Sequence, residues 1–368
     1  MQRPLAALAL SITLALAACG GDEATPSATP SATPGASPTP TVTPAATITP
    51  TGEQLSYIGP DGEIRLVNAD GAGDHVFSDA PCGDPGEQVQ HFSMAWSADG
   101  ARLGFICAPP DSSSQTLVVL NSAAREIARV RDVSRFRWSP DSTRLAYQRS
   151  AEPDVGLLDP GTGAERTLRH DAVLMEWVGP GSMLLGLEPV FGDVGTAFKA
   201  HLVALATGES TAFSELDNAR TLWVSPDGAR MIVQADQRDP NGSAPGMAVY
   251  DFAQDLAVVL VGGYIGYPSD FVPHEQLAFS RDGASIYWVN AVGVPAPVWT
   301  ATLDEAVAER LGEVGSLFVA VSPSGRIAAI EPPQEAAVGT VAIHDLAAGT
   351  RAEAGRGSGP FAWREFIP

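Results

Sequence analysis

One pattern returns along this chain at a spacing that leaves few folds open. Residues 94–105 read MAWSADGARLGF, 136–147 read FRWSPDSTRLAY and 222–233 read LWVSPDGARMIV. Shorter copies are AFSRDGASIY at 278–287 and AVSPSGRIA at 320–328, with a degenerate EWVGPG at 176–181. FAWR at 361–364 holds only the beginning of the pattern. The serine of the pattern, or the residue in its place, falls at 97, 139, 178, 225, 280, 322 and 364, in steps of 39 to 55 residues. Self-similarity at a period of roughly 40 residues is the mark of one supersecondary unit stacked many times.

Each unit has a physical reading. An apolar strand runs into Ser-Pro-Asp-Gly, where Pro presets φ and Gly takes the position of positive φ. The strand that follows is nearly all apolar, which suits a sheet covered on both faces. A third strand ends in a second turn cluster, such as Asp159-Pro160-Gly161 or Asn68-Ala69-Asp70-Gly71, and a fourth closes the unit, as at Glu165 to Leu168. Thr300–Val314 carries apolar residues at helical spacing, but its register with the other units predicts a strand pair. Four strands per unit, repeated, predicts an all-β, seven-bladed β-propeller. Six blades is the alternative if the degenerate unit near Trp177 is not a blade.

The Ser-Pro-Asp-Gly turns, set between "AW" and "RLAF"-like strands, and the "VNADG" turn at 67–71 resemble the TolB-type, WD-repeat-like β-propeller family. The resemblance covers residues 55–368. It implies protein–protein roles at the cell envelope, and its motif residues are structural rather than catalytic.

The two ends of the body predict how the ring closes. Residues 55–77 supply three strands without a first one, and residues 360–366 supply a first strand and little else. Together they complete one blade, which removes exposed edges. Because strand direction alternates, first-to-second turns share one face of the disc with both chain ends. The long segments 79–91, 108–116, 188–199, 235–247, 262–275 and 331–339 share the other. Loops held by a rigid scaffold are where binding concentrates. The candidate binding face therefore comprises Phe191, Asp193, Asp236, Arg238, Asp239, Tyr264, Tyr267, Asp270, Phe271 and His274. A second reading leaves these loops as tolerated insertions whose aromatics pack back on the ring.

Ahead of the body lies a targeting segment. Arg3 precedes an apolar and small-residue run from Leu5 to Ala18, too short for the roughly 20 residues that span a bilayer. The run ends in Leu16-Ala17-Ala18-Cys19-Gly20, which resembles a bacterial lipobox. Residues 1–18 are thus expected to be a signal peptide and Cys19 to be the lipidated N-terminus. Residues 19–53 are expected to be the anchor and a Pro/Thr-rich flexible linker, with the propeller at 54–368. Prolines in polyproline II would let the 24–52 tract reach on the order of 90 Å. The chain carries 22 Lys and Arg against 43 Asp and Glu, a formal net charge of −21. Such a surface repels nucleic acid and anionic headgroups, so membrane contact is expected through the acyl anchor only.

The three cysteines are Cys19, Cys82 and Cys107. By strand direction, Cys82 and Cys107 fall on the long-loop face of one blade, and an extracytoplasmic compartment permits their disulfide. None of the six histidines has metal-ligand spacing, so no metal and no cofactor are expected. No nucleophile elbow, phosphate-binding loop or dinucleotide fingerprint occurs. Arg137 and Glu176 hold equivalent first-strand positions in neighbouring units; they read either as a charged tunnel mouth or as an inter-blade ion pair. Trp96, Trp138, Trp177 and Trp363 read as packing between blades.

The function that follows is a cell-envelope, lipid-anchored, non-enzymatic binding or scaffolding module for a protein, peptide or glycan partner. Two alternatives stay open. One is a tunnel-mouth hydrolase or lyase using a divalent cation, since acidic residues from several blades can converge without a linear motif. The other is a small-ligand sensor.

Overall fold

The repeated turn owes its shape to the serine hydroxyl. Ser97 Oγ donates to Asp99 Oδ1 at 2.5 Å and accepts from the backbone N–H of Arg102 at 3.0 Å. Asp99 Oδ1 in turn accepts the N–H of Ala101. The same arrangement recurs at Ser139 with Asp141, Ser225 with Asp227 and Ser280 with Asp282. Side-chain oxygens thereby satisfy backbone donors that the tight hairpin leaves unpaired. The hydroxyl of Ser225, and next the N–H of Ala229, hold the Asp227 carboxyl below its ordinary range. The turn needs a residue at positive φ, which Gly100, Gly228 and Gly283 supply. Ser142 occupies the equivalent place at φ 61°.

A computed structural model describes residues 52–79, 90–109, 114–150, 153–192, 195–212, 219–235, 247–254, 256–259, 276–290, 294–316, 319–331 and 338–365. Among them there are strands and turns and no α-helix. The chain begins with β1 (Gln54–Ile58), β2 (Ile64–Asn68) and β3 (His75–Ser78). An antiparallel four-stranded sheet follows: β4 (Gln90–Trp96), β5 (Arg102–Ala108), β6 (Thr116–Asn121) and β7 (Glu126–Arg131). The next is β8 (Val133–Trp138), β9 (Leu145–Arg149), β10 (Val155–Asp159) and β11 (Ala164–Arg169). An eight-stranded sheet holds β12 (Val173–Trp177), β13 (Ser182–Gly192), β14 (Gly195–Ala204) and β15 (Ser210–Ala212). It continues through β16 (Ala219–Val224), β17 (Arg230–Ala235), β18 (Met247–Asp251) and β19 (Leu256–Val259). Among the described residues, the pair Phe198↔Ala219 alone joins its two halves.

A further four-stranded sheet contains β20 (Leu277–Phe279), β21 (Ser285–Val289), β22 (Ala296–Thr302) and β23 (Val307–Val314). The segment with helical spacing is the β22–β23 hairpin, turned at Thr302↔Val307. Last come β24 (Val319–Val321), β25 (Ile327–Glu331), β26 (Gly339–Asp345) and β27 (Thr350–Arg364). One difference from the sequence expectation concerns 188–199, read there as a loop. Its described backbone extends the β13–β14 hairpin, paired out to Gly192↔Gly195.

β27 serves two partners in turn. Thr350–Gly357 pairs with β26, and Ser358–Arg364 pairs with β1, from Ile58↔Ser358 to Gln54↔Arg364. The first and last strands of the body therefore lie side by side. Where β27 changes partner, it passes close to Tyr57. A Cβ on Gly355 would stand 2.5 Å from the Tyr57 hydroxyl, and one on Gly357 would stand 2.4 Å from the Ile58 carbonyl. Both positions demand glycine for lack of space.

The buried apolar side chains of the described residues form seven clusters, and each joins successive strand groups. Phe105 and Trp96 pack with Ile64 and Leu66; Phe136 and Tyr147 pack with Ile106 and Leu117. Trp177 and Leu185 pack with Leu157, and Leu222 and Met231 pack with Leu184. Phe279 and Trp288 pack with Trp223, and Ile327 packs with Val298. The last cluster sets Ala328 and Ile343 against Leu55, Tyr57 and Phe361, which returns to the first strands. Burial on both sheet faces explains why second strands such as β5 and β25 are apolar nearly throughout.

The turn Ser322-Pro323-Ser324-Gly325 keeps the first serine but has Ser where Asp is usual, so it lacks a carboxylate of its own. Glu53, just ahead of β1, supplies it. Its carboxylate accepts from Ser324 Oγ at 2.5 Å, Ser324 N at 3.1 Å, Ser322 Oγ at 3.3 Å and Arg326 Nη1 at 3.1 Å. Its side chain is 2% exposed. The residue that opens the body is thus tied to a turn about 270 residues downstream.

Two outcomes follow. Glu53→Ala leaves the turn donors and Arg326 without their acceptor and is expected to lower stability by about 2 kcal/mol. Ser324→Asp in that background restores a carboxylate in place and recovers part of the loss. Urea unfolding of the three proteins measures both, and equal midpoints for all three would contradict the role of Glu53. The second outcome concerns His91 on β4, whose ring lies 6.1 Å from that of Phe105. Burial pushes its imidazole down to about 4. The unfolded chain then binds this proton more tightly than the folded one, so stability is complete above the unfolded value of about 6.5. It declines as pH falls from there toward 4. His91→Phe is expected to remove on the order of 2 kcal/mol of that acid-side loss, read from unfolding midpoints at pH 7, 5.5 and 4.

Candidate functional site

The residue before each turn stands at or next to the end of the first strand of its unit, and it is large in most of them: Trp96, Trp138, Trp177, Val224, Phe279, Val321 and Trp363, with Trp223 one residue earlier in its strand. A buried indole N–H is stabilised by an acceptor. Trp138 Nε1 donates to the Ala95 carbonyl at 3.0 Å, Trp177 Nε1 to the Arg137 carbonyl at 3.1 Å, and Trp363 Nε1 to the Ala320 carbonyl at 3.2 Å. In each case the acceptor lies one residue before the equivalent position of the preceding unit. Trp96 Nε1 donates instead to Ser56 Oγ, at 2.8 Å. Three of these tryptophans therefore stitch neighbouring first strands together and Trp96 ties its unit to β1, in agreement with their reading as packing between blades.

All of these residues except Val321 wall a cavity of about 640 Å³. Its mouth is made by the second residue of the turns: Ala98, Pro140, Pro226, Arg281, Pro323 and Glu365. Arg281 and Glu365 stand where three of the others carry proline. Their side chains meet across the turn that holds Pro323, with Nε of Arg281 3.0 Å from Oε1 of Glu365. Arg364, beside Glu365, is pinned. Its Nε donates to the Gly100 carbonyl at 2.7 Å, and its guanidinium lies 4.3 Å from the centre of the Trp96 ring.

Deeper in the wall stands Glu176. Its Oε1 accepts the Trp177 N–H, and its Oε2 is 3.3 Å from Arg137 Nε. Arg137 also donates from Nη1 to the Phe136 carbonyl. Both side chains are largely buried, so the two residues form an ion pair between neighbouring units. Arg135 donates from Nη1 to the Leu174 carbonyl. Burial and then repulsion from Arg137 push its guanidinium down to about 10, against the opposing pull of Glu176.

Of the candidate binding residues, Phe191 lies in β13 with its backbone paired to Thr196. Asp193, Asp236, Arg238, Asp239, Tyr264, Tyr267, Asp270, Phe271 and His274 lie outside the described residues, as do Cys19 and Cys82. Cys107 is fully buried in β5 and is disulfide-bonded. The cavity opens among the short turns, on the face opposite to the one the sequence favoured. A signal for it was present: Arg281 and Glu365 break a run of Pro and Ala at equivalent positions. Among the described residues, no three His, Cys, Asp or Glu side chains gather as metal ligands would.

No known family and no curated protein matches this sequence. Solved structures do match in fold. TolB from Acinetobacter baumannii is 15% identical with a TM-score of 0.50, over 82% of this chain and 78% of that one. An oligogalacturonate lyase in complex with manganese is 13% identical with a TM-score of 0.53, over 84% of this chain and 86% of that one. The β-propeller domain of the Trilobed protease from Pyrococcus furiosus is 13% identical with a TM-score of 0.50, over 73% and 86%. At these identities the likeness concerns the fold. With its packed antiparallel sheets, the chain has a β-propeller fold, similar to that of these proteins.

Proposed function

We propose that this chain is an envelope binding module: a lipid-anchored propeller that holds a partner at its turn-face cavity without transforming it. The observation that carries this reading is that the polar groups of the cavity wall are already engaged in holding the ring. Indole N–H groups bond neighbouring carbonyls, turn serines bond aspartates, and Glu176 and Glu365 each face an arginine. A wall so engaged offers shape and aromatic surface, which suits recognition of a protein, peptide or glycan. Acid–base chemistry instead needs a titratable group poised for proton transfer. The likeness to a manganese-bound lyase brings to mind a cation-dependent tunnel enzyme, but the pairing of both wall carboxylates favours binding.

The finer architecture belongs to the same proposal. The seven apolar clusters support seven blades, with β27 ending one and beginning the next. Residues 1–18 are taken as a signal peptide, Cys19 as the acylated residue, 19–53 as the linker and 54–368 as the propeller. Glu53 brings the root of that linker to the turn of Ser322 and Ser324, on the cavity face. Cys82 is the proposed disulfide partner of Cys107, closing a loop that contributes about 3 kcal/mol by chain entropy. The long-loop residues from Phe191 to His274 form the rival binding face.

A photo-crosslinking residue at Pro140 or Pro226, both exposed at the cavity mouth, is expected to give one discrete adduct in intact envelopes. The same probe at Arg166, on the outer strand β11, is expected to give none. An adduct from position 264 alone would move the binding face to the long loops, and none from any position would refute the binding reading. For the disulfide, thiol labelling of the denatured, unreduced mature protein is expected to find neither Cys82 nor Cys107 reactive. Labelling at both would refute their pairing.

A further inference from the structure

We infer that the cavity mouth receives a cationic group, an ammonium or guanidinium, with Glu365 as its counter-ion and Arg281 as a built-in competitor. The inference rests on the binding reading above and names the chemistry of the ligand. The Arg281–Glu365 pair is unequal. The Arg281 side chain is 54% exposed on a flexible stem, and that of Glu365 is 25% exposed. The backbone of Glu365 is also held. A Cβ on Gly100 would lie 2.4 Å from its carbonyl, and its neighbour Arg364 is bonded to Gly100 and stacked on Trp96. The carboxylate is thus the fixed partner and the guanidinium the movable one. A pair this exposed is weak, so an incoming charge displaces the movable member at little cost.

What then remains at the mouth is a fixed carboxylate beside indoles. Trp138 and Trp363 are half-buried in the cavity wall and present surface to it. The ring already carries one cation of its own chain, the Arg364 guanidinium over Trp96. The field of the molecule agrees in sign, for a net charge of −21 gathers cations and repels anions. An anionic ligand would have to displace the fixed member of the pair, against that field. Charge and mobility therefore select the same ligand class.

The test uses the full chain and three small probes of similar size: butylguanidinium, neutral butylurea and butanoate. Titration is followed by tryptophan fluorescence and by heat, with thermal melts to check that each variant is folded. Butylguanidinium is expected to bind saturably and to weaken as salt is raised, with butylurea and butanoate weaker. Arg281→Ala removes the competitor and is expected to tighten butylguanidinium about threefold. Glu365→Gln removes the counter-ion and is expected to weaken it by roughly tenfold. A purely structural ion pair would move both variants the same way, and that result overturns the inference. Equal binding of butylurea overturns the charge claim and leaves the cavity as a binding site. Preference for butanoate, or no binding of butylguanidinium, overturns it too, while mouth crosslinking independently decides whether the module binds at all.

Discussion

The pairing of β1 with the end of β27 is the contact on which the rest of this structure depends. Each sheet is apolar on both faces and must be covered on both sides by neighbours. An open row of such sheets would leave two apolar faces and two strand edges in water. Pairing the first strand with the last turns the row into a ring and removes both problems together. The constraint is long-range, so every local turn and strand in the chain gains its full stability only when the ends have met.

Closure has more than one support. β27 is long because it finishes one sheet and opens the next, and its glycines let it cross over Tyr57. Glu53 adds a second tie, between the opening residue of the body and a turn that has lost its own carboxylate. The tryptophans add a third, by bonding the first strand of one unit to that of the previous one. The tryptophan bonds lie between first strands, whose ends line the cavity. Regular packing there leaves a cavity walled by indoles, and the charged groups beside it are drawn into pairs. The site thus arises from the closure, and its binding character follows from how fully its wall is engaged.

Much of the fold was legible in the residues. The Ser-x-Asp-Gly turns, their period and the apolar second strands identify the units, because turn chemistry and two-sided burial act over a few residues. Even the incomplete end at 361–364 pointed to a shared blade. Other features were hidden. The turn at 322–325 reads as a simple departure, and nothing near it says that Glu53 will replace the missing aspartate. The segment 188–199 reads as a long connection, yet its described backbone pairs as a hairpin. Arg281 and Glu365 stand 84 residues apart, and nothing local says that the two will pair.

The sequence by itself determined the repeating strand-turn-strand unit, the all-β class and the acidic character of the chain, since each depends on neighbours a few residues away or on composition alone. Only the tertiary structure decided which distant carboxylate completes which turn, where the cavity opens and which charges meet at its mouth. Those outcomes depend on how the ring is closed in space, and contacts between residues hundreds of positions apart leave no local trace in the chain.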